Sequence, residues 1–187
     1  MSSETWDERY RQDGNTIKAP ARFLVEQISH LPRGRAIDLA AGSGRNAIFL
    51  AAHGYPTDAV DASEVAVEKL SALAIKESLP IITTRAELPD YTIAKNTYAV
   101  ILNFYFLERK LFLPIKEGLV DGGMLLFETY TIEQARFGRP CNHEFLLKPN
   151  ELLHSFSDLH IIHYHERIDR SGPVPKAIAS LLAEKRG

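Results

Sequence analysis

The chain has 187 residues, 45% hydrophobic and 25% charged, with a formal net charge of -2. That is enough for one domain with a real core, and the near-neutral balance argues against nucleic acid or an anionic membrane surface as the main partner. The single Cys141 cannot close an internal disulfide, no apolar run reaches membrane-spanning length, and the first residues (Glu4, Asp7, Glu8, Arg9) do not resemble a signal peptide, so a cytoplasmic protein is expected.

Residues 1–19 are polar apart from Trp6, Tyr10 and Ile17. Trp6 and Tyr10 are four apart and share one helical face, either as an anchor on the domain or as a cover over a ligand. Pro20 suits the first turn of a helix. Leu24, Ile28 and Leu31 then give an i, i+4, i+7 stripe that ends at Pro32 and Gly34. Ala36 to Leu39 reads as a strand. It opens into Ala40-Ala41-Gly42-Ser43-Gly44-Arg45-Asn46, followed by a helix over Ala47 to His53. Glycine allows a sharp turn and a ligand lying against bare main chain, and the helix beyond offers N–H groups and a partial positive charge. Such a strand–turn–helix holds nucleotide-like ligands. Gly54-Tyr55-Pro56 stops the helix, and Thr57 to Val60 is a second strand with Asp61 at its end. A carboxylate there, about 20 residues past the glycines, is placed for a ribose diol; with Ser63 beside it, Asp61 also reads as a plain helix-entry residue.

Ser63 caps the next helix and Glu64 complements its dipole, with Val67, Leu70 and Leu73 or Ala74 facing inward. Pro80 to Thr84 is a third strand, and Arg85 to Asp90 is a loop with two carboxylates. Tyr98 to Leu102 is a fourth strand, with Asn103 to Phe106 at its carboxyl end. A helix from Glu108 to Leu119 carries Phe112, Ile115 and Leu119 on one side. Asp121-Gly122-Gly123 is a turn, and Met124 to Phe127 a fifth strand ending in Glu128. Continuous apolar strands separated by helices predict a parallel sheet buried on both faces. From Thr129 to Pro149 the pattern breaks; irregular segments of this length are usually functional or disordered, and Tyr130, Phe137 and Phe145 predict partial order. Glu151 to Phe156 looks helical, Leu159 to His165 alternates as a half-exposed strand, and Ala177 to Glu184 is the last strand, antiparallel at or near the edge.

The run Asp38-Leu39-Ala40-Ala41-Gly42-Ser43-Gly44 resembles the first motif of class I S-adenosylmethionine-dependent methyltransferases. Asp61 matches their acidic residue after the second strand, and Asp121-Gly122-Gly123 resembles their Pro-Gly-Gly turn. Gly44-Arg45-Asn46, with Trp6-Asp7-Glu8-Arg9-Tyr10, is similar to a narrower group that contains tellurite-resistance and thiopurine-type methyltransferases. The resemblance departs at Ala40, where the family has glycine, at Asp121 for proline, and at Glu87 for the Asp that contacts adenine. It implies a single α/β domain over 1–187, a Rossmann-like doubly wound, mostly parallel seven-stranded sheet with an antiparallel strand near the C-terminal edge, in which 1–19 is a lid and 129–148 the acceptor-side loop.

The implied cofactor is S-adenosyl-L-methionine and the implied reaction is methyl transfer to a small-molecule thiol, carboxylate or chalcogen oxyanion. By the same resemblance Asp38 organises the glycine loop; Ala40, Gly42, Gly44 and Asn46 lie along the methionine part; Asp61 binds the ribose hydroxyls; Ala62 packs on the adenine; Ala86 and Glu87 flank its edge; and Asn103 nears the ammonium. Trp6 and Tyr10 form the lid and Arg9 reaches the cofactor carboxylate. Acceptor-side candidates are Tyr105, Arg109, Tyr130, Arg136, Arg139 and His143, with no obligatory catalytic residue among them; arginine suits bidentate capture of an oxyanion. His160, His163 and His165 lack partners at ligand spacing, so no metal is expected. A monomer or homodimer is expected. Two rivals stand. Gly42-Ser43-Gly44-Arg45-Asn46-Ala47 fits the G-x-G-x-x-A of NAD(P)-dependent oxidoreductases, although Asp38 lies inside the first strand's end and no dehydrogenase-sized catalytic domain is present. A non-catalytic methyltransferase-like scaffold is the other, kept open by Ala40.

Overall fold

The computed structural model describes residues 3–12, 14 and 17–187. Its strands are β1 (Ala36–Leu39), β2 (Thr57–Asp61), β3 (Ile81–Arg85), β4 (Tyr98–Phe104), β5 (Leu119–Tyr130), β6 (His160–Asp169) and β7 (Lys176–Glu184), in one seven-stranded sheet of order β3-β2-β1-β4-β5-β7-β6. The helices are α1 (Ser3–Gln12), α2 (Arg22–Gln27), α3 (Arg45–Ala52), α4 (Glu64–Lys76), α5 (Phe112–Gly118) and α6 (Glu151–Ser155). The first five strands pair in parallel. β7 is antiparallel to β5 and to β6, so the edge strand β6 points the same way as the first five. The chain runs outward through β1, β2 and β3 and then crosses back to β4, which makes the gap between β1 and β4 the switch point at which α/β sheets open a ligand crevice.

The middle strands are apolar because helices cover both faces. Ile37, Leu39, Ile101, Leu125 and Phe127 pack with Ile115 of α5 and Leu152 of α6 on one side. Val100, Leu102 and Leu126 pack with Phe23 and Leu24 of α2 and Leu50 of α3 on the other. Every residue of β1, β2 and β4 is buried. β3 departs from the expectation of two covered faces: it is an edge strand, and Ile82 is 61% exposed. Among the described residues no helix is long and apolar enough to cross a membrane.

Other departures have local causes. The Leu24–Ile28–Leu31 stripe is only partly α-helical: α2 ends at Gln27, a 3-10 turn covers Ile28–His30, and Leu31 is extended because Pro32 disfavours helical geometry before it. The helix foreseen over Glu108–Leu119 splits into a 3-10 turn (Arg109–Leu111) and α5, with Pro114 in the first turn of α5, where its missing N–H does least harm; Leu119 already belongs to β5. Asp121-Gly122-Gly123 is a bulge inside β5 rather than a turn before it. Pairing jumps from Tyr98↔Leu119 to Val100↔Met124, Gly122 takes φ 76°, and its N–H donates to the Lys185 carbonyl at 2.7 Å. β6 runs on to Asp169, and a hairpin over 170–175 returns the chain to β7.

Candidate active site

The carboxyl ends of β1 and β2 hold the glycine loop. Ala40, Gly42 and Gly44 all have positive φ, at 55°, 55° and 85°. For alanine this left-handed conformation costs about 1–2 kcal/mol, which gives a physical reason for the family's glycine at this position. Asp38 lies beneath the loop, and its Oδ2 accepts from Ala47 N–H at 3.1 Å, fixing the start of α3. Burial pushes its carboxyl up to about 7, with Arg45 and the Ala47 N–H pulling the other way. Asp61 ties the loop to the next helix: Oδ2 accepts from Gly42 N–H at 2.7 Å and Oδ1 from Ser63 N–H at 2.9 Å. Burial raises this carboxyl too, opposed by the same N–H groups. Ser63 caps α4 by accepting from Ala66 N–H at 3.1 Å.

α1 lies over this loop. Trp6 and Tyr10 stack at 6.0 Å, with the Arg9 guanidinium 5.0 Å from the Trp6 ring. Tyr10 Oη is 2.5 Å from where a Cβ on Gly42 would stand, so that glycine faces the tyrosine. Two fastenings hold α1. Asp7 Oδ1 accepts from Ser63 Oγ and from Val65 N–H at 3.2 Å, and Lys69 Nζ donates to the carbonyls of Tyr10 and Gly14. Neither Asp7 nor Lys69 was singled out from sequence; the only trace was the position of Asp7 inside the Trp6–Tyr10 run. Of the other cofactor-side residues, Ala62 and Ala86 are half-buried, Ala86 N–H donates to the Asp61 carbonyl at 3.0 Å, and exposed Glu87 is near enough for its charge to raise Asp61. Two are occupied elsewhere. Asn46 Oδ1 accepts from Ala21 N–H at 2.9 Å, anchoring the start of α2, and Asn103 Nδ2 donates to the Phe106 carbonyl at 2.8 Å, closing the turn after β4.

A second cluster forms at the tips of β4, β5, β7 and β6. Tyr105, just past β4, has φ 58° and donates from Oη to Glu128 Oε1 at 2.9 Å. Ser180 Oγ donates to Glu128 Oε2 at 2.6 Å, and the Arg167 guanidinium is 3.4 Å from the same oxygen. The Tyr105 and Tyr130 rings are 5.2 Å apart. Burial raises both phenols, and Arg45 counters on both. The other acceptor-side candidates do not join this group. Arg109 fastens the 129–148 loop instead: Nε and Nη2 bind Glu151, and Nη1 and Nη2 donate to the Glu144 and Leu146 carbonyls. Arg136, Arg139 and His143 are exposed, Arg136 in an ion pair with Glu133 at 2.7 Å. The loop is more ordered than its composition suggests, with 3-10 turns at Ile132–Arg136 and His143–Phe145 and Gln134 Oε1 accepting from Ala177 N–H at 2.9 Å. His163 packs on Phe23 at 5.4 Å, and among the described residues no three His, Cys, Asp or Glu could hold a metal ion.

The two clusters together can hold a nucleoside with a charged tail on the glycine loop and a small reactant beside it. The donor set fits: a bare main-chain surface at Gly42, an acceptor-only carboxylate at Asp61, and small side chains at Ala62 and Ala86.

Comparison with known proteins agrees with this geometry. A structure of TehB from Haemophilus influenzae superposes with a TM-score of 0.80 at 24% identity, covering 97% of this chain and 67% of that one. An S-adenosylmethionine-dependent methyltransferase from Clostridium acetobutylicum superposes at 0.70 with 15% identity, covering 99% and 98%. Among curated sequences, Hemagglutinin 1 of Eikenella corrodens is 28% identical over 98% of this chain, which spans 65% of that relative's length. The sequence model described as "Tellurite resistance protein TehB" matches residues 6–172. The chain therefore has the class I methyltransferase fold and belongs to the TehB family of tellurite resistance proteins.

Proposed function

We propose that the protein is an S-adenosyl-L-methionine-dependent methyltransferase acting on a small-molecule acceptor in the cytoplasm, with 1–19 as its lid and 129–148 on the acceptor side. The observation that carries this reading is Asp61, which holds Gly42 N–H with one oxygen and Ser63 N–H with the other at the tip of β2, beside a glycine surface covered by Tyr10. Each carboxylate oxygen keeps acceptor capacity for a diol hydroxyl. Gly42, faced only by Tyr10 of the lid, leaves its main chain to the amino-acid part, Ala62 and Ala86 leave room for a base, and Arg9 on the lid supplies a cation for a carboxylate.

When bound, S-adenosyl-L-methionine supplies a methyl group on a sulfonium, an electrophile that needs no further activation. The work left to the protein is alignment and exclusion of water, worth about 7–11 kcal/mol of barrier when the geometry is right. α1 excludes water, fastened by Asp7 and Lys69. Glu128 is the buried carboxylate nearest the acceptor side, and it already accepts from Tyr105 and Ser180 and pairs with Arg167. That occupancy disfavours it as a general base and favours an acceptor that is a nucleophile as it arrives, such as a thiolate or a reduced chalcogen oxyanion. The family's name points the same way, to a tellurium oxyanion.

The test is a methyl-transfer screen with labelled cofactor against thiols, small carboxylates, and selenium and tellurium oxyanions, run beside calorimetry with S-adenosylhomocysteine and with NAD. Binding of S-adenosylhomocysteine with transfer to at least one acceptor is expected. Binding without transfer would leave a scaffold, and binding of NAD in its place would leave an oxidoreductase.

A further inference from the structure

Four strands of the sheet converge on Glu128, which is 3% exposed, and through it they hold Tyr105. The grip on Tyr105 is double: its phenol donates to the Glu128 side chain, and its N–H donates to the Glu128 carbonyl at 2.7 Å. A non-glycine residue in the left-handed region persists only where its surroundings over-determine it, and such positions gather at functional sites.

What the held ring supports is two cations. The Arg45 guanidinium is 5.3 Å and Lys176 Nζ 5.2 Å from the Tyr105 centroid. Lys176 lies opposite Asp169 in the β6–β7 register, and that carboxylate feels its charge. The Arg45 side chain makes no ion pair and no hydrogen bond among the described residues. Its charge reaches Asp38 on the cofactor side and both Tyr105 and Tyr130 on the other, so it stands where the two clusters meet. A half-buried guanidinium with its planar fork unspent is suited to bidentate capture of an oxyanion.

We propose that Arg45 is the specificity-determining residue for the acceptor, taking its oxyanion group, and that Tyr105, clamped by Glu128, is the positioning residue that aims it. The proposal rests on the methyl-transfer reading above. The same guanidinium could in principle serve the cofactor's own carboxylate, so the experiment separates the two.

Selenite is titrated by calorimetry into protein saturated with S-adenosylhomocysteine, and S-adenosylhomocysteine is titrated into the free protein, for wild type, Arg45→Gln, Arg45→Lys and Tyr105→Phe; initial rates with tellurite give KM and kcat. Arg45→Gln is expected to weaken selenite binding and raise the tellurite KM by about 10- to 100-fold, as loss of one charge-assisted pair predicts, with S-adenosylhomocysteine affinity within about two-fold of wild type. Arg45→Lys recovers part of the loss, because charge returns without the fork. Tyr105→Phe raises KM by a smaller factor at constant kcat, a split that loss of packing alone would not give. An unchanged selenite affinity in Arg45→Gln overturns the proposal. So does an equal loss of S-adenosylhomocysteine affinity, which would put the guanidinium on the cofactor, and so does a wild type that binds S-adenosylhomocysteine but no selenite. A wild type that fails to bind S-adenosylhomocysteine refutes instead the methyl-transfer reading.

Discussion

Gly42 and Gly44 look alike in the sequence but should respond very differently to alanine. Both have positive φ, 55° and 85°, so each substitution carries about 1–2 kcal/mol of backbone strain. The space around them differs. At Gly44 the new Cβ would lie 2.8 Å from Leu70 Cδ2 and 2.9 Å from Cγ, and closer still to Cδ1. Leu70 is 1% exposed and packs with Ala47 and Ala59, so it has nowhere to move. Overpacking of that kind adds about 1–3 kcal/mol, for a total of about 2–5 kcal/mol. In a domain of this size that lowers Tm by roughly 4–20 °C. At Gly42 the Cβ would meet Tyr10 Oη at 2.5 Å, the far end of a side chain on α1, which can swing away. Gly42→Ala should therefore cost little beyond the strain, about 1–2 kcal/mol, and should loosen α1 instead. Urea denaturation reads the first effect. Fluorescence of Trp6, the chain's one tryptophan, reads the second, shifting toward an exposed indole in Gly42→Ala and staying near wild type in Gly44→Ala below its transition. If Gly42→Ala proved the more destabilising of the two, or if Gly44→Ala melted with wild type, the steric account of this loop would be wrong.

Ala40→Gly should stabilise the fold by up to about 1 kcal/mol, the relief of left-handed strain less the entropy glycine returns to the unfolded chain; chemical denaturation would show no gain if Ala40 were unstrained. Asp61→Ala should weaken S-adenosylhomocysteine binding by about 1–3 kcal/mol and also lower stability, since Gly42 and Ser63 N–H lose their partner; equal calorimetric affinity would remove Asp61 from the ligand. Asp38 is raised in the folded state from the usual carboxylate range to about 7, so the folded form holds its proton more tightly than the unfolded form and stability declines as pH climbs through that window. Asp38→Asn, which keeps an oxygen for Ala47 N–H, should gain stability relative to wild type between about pH 4 and about pH 7, and a difference that stays flat with pH would contradict the buried-carboxylate assignment. Asp7→Ala should quicken tryptic cleavage after Arg9 and Arg11 as α1 loses its hold on Ser63 and Val65; an unchanged cleavage rate would mean that Lys69 alone secures it.

The parallel core was legible chiefly through β4, whose run from Tyr98 to Leu102 is apolar because it is buried on both faces; β2 is buried as fully but carries Thr57 and Asp58. The sequence predicts an antiparallel last strand at or near the edge, and β7 lies one strand in, with β6 outside it. Less visible were features set by a neighbour rather than by a periodicity. Asp121-Gly122-Gly123 carries turn chemistry, yet its hydrogen bonds go to Lys185, more than sixty positions on in the chain, and so the segment becomes a bulge. Arg109 had the right chemistry for an oxyanion, but Glu151 and two loop carbonyls already hold it. Asn46 lay in the right motif and serves α2 instead. In the sequence Arg45 stands only as part of the Gly44-Arg45-Asn46 run and not as an acceptor-side candidate, because Tyr105 and Tyr130 reach it from strands far along the chain.

The reversal of β7 also decides where this molecule can be remodelled. Because β6 points with the first five strands and β7 runs back against it, the six-residue connection at 170–175 emerges on the same rim as Glu128 and Tyr130. A longer or differently decorated connection there would reach the reactants without threading any chain through the sheet. The sheet's one backward strand thus leaves its chemistry an extensible border, where new selectivity can be added while the interior stays as it is.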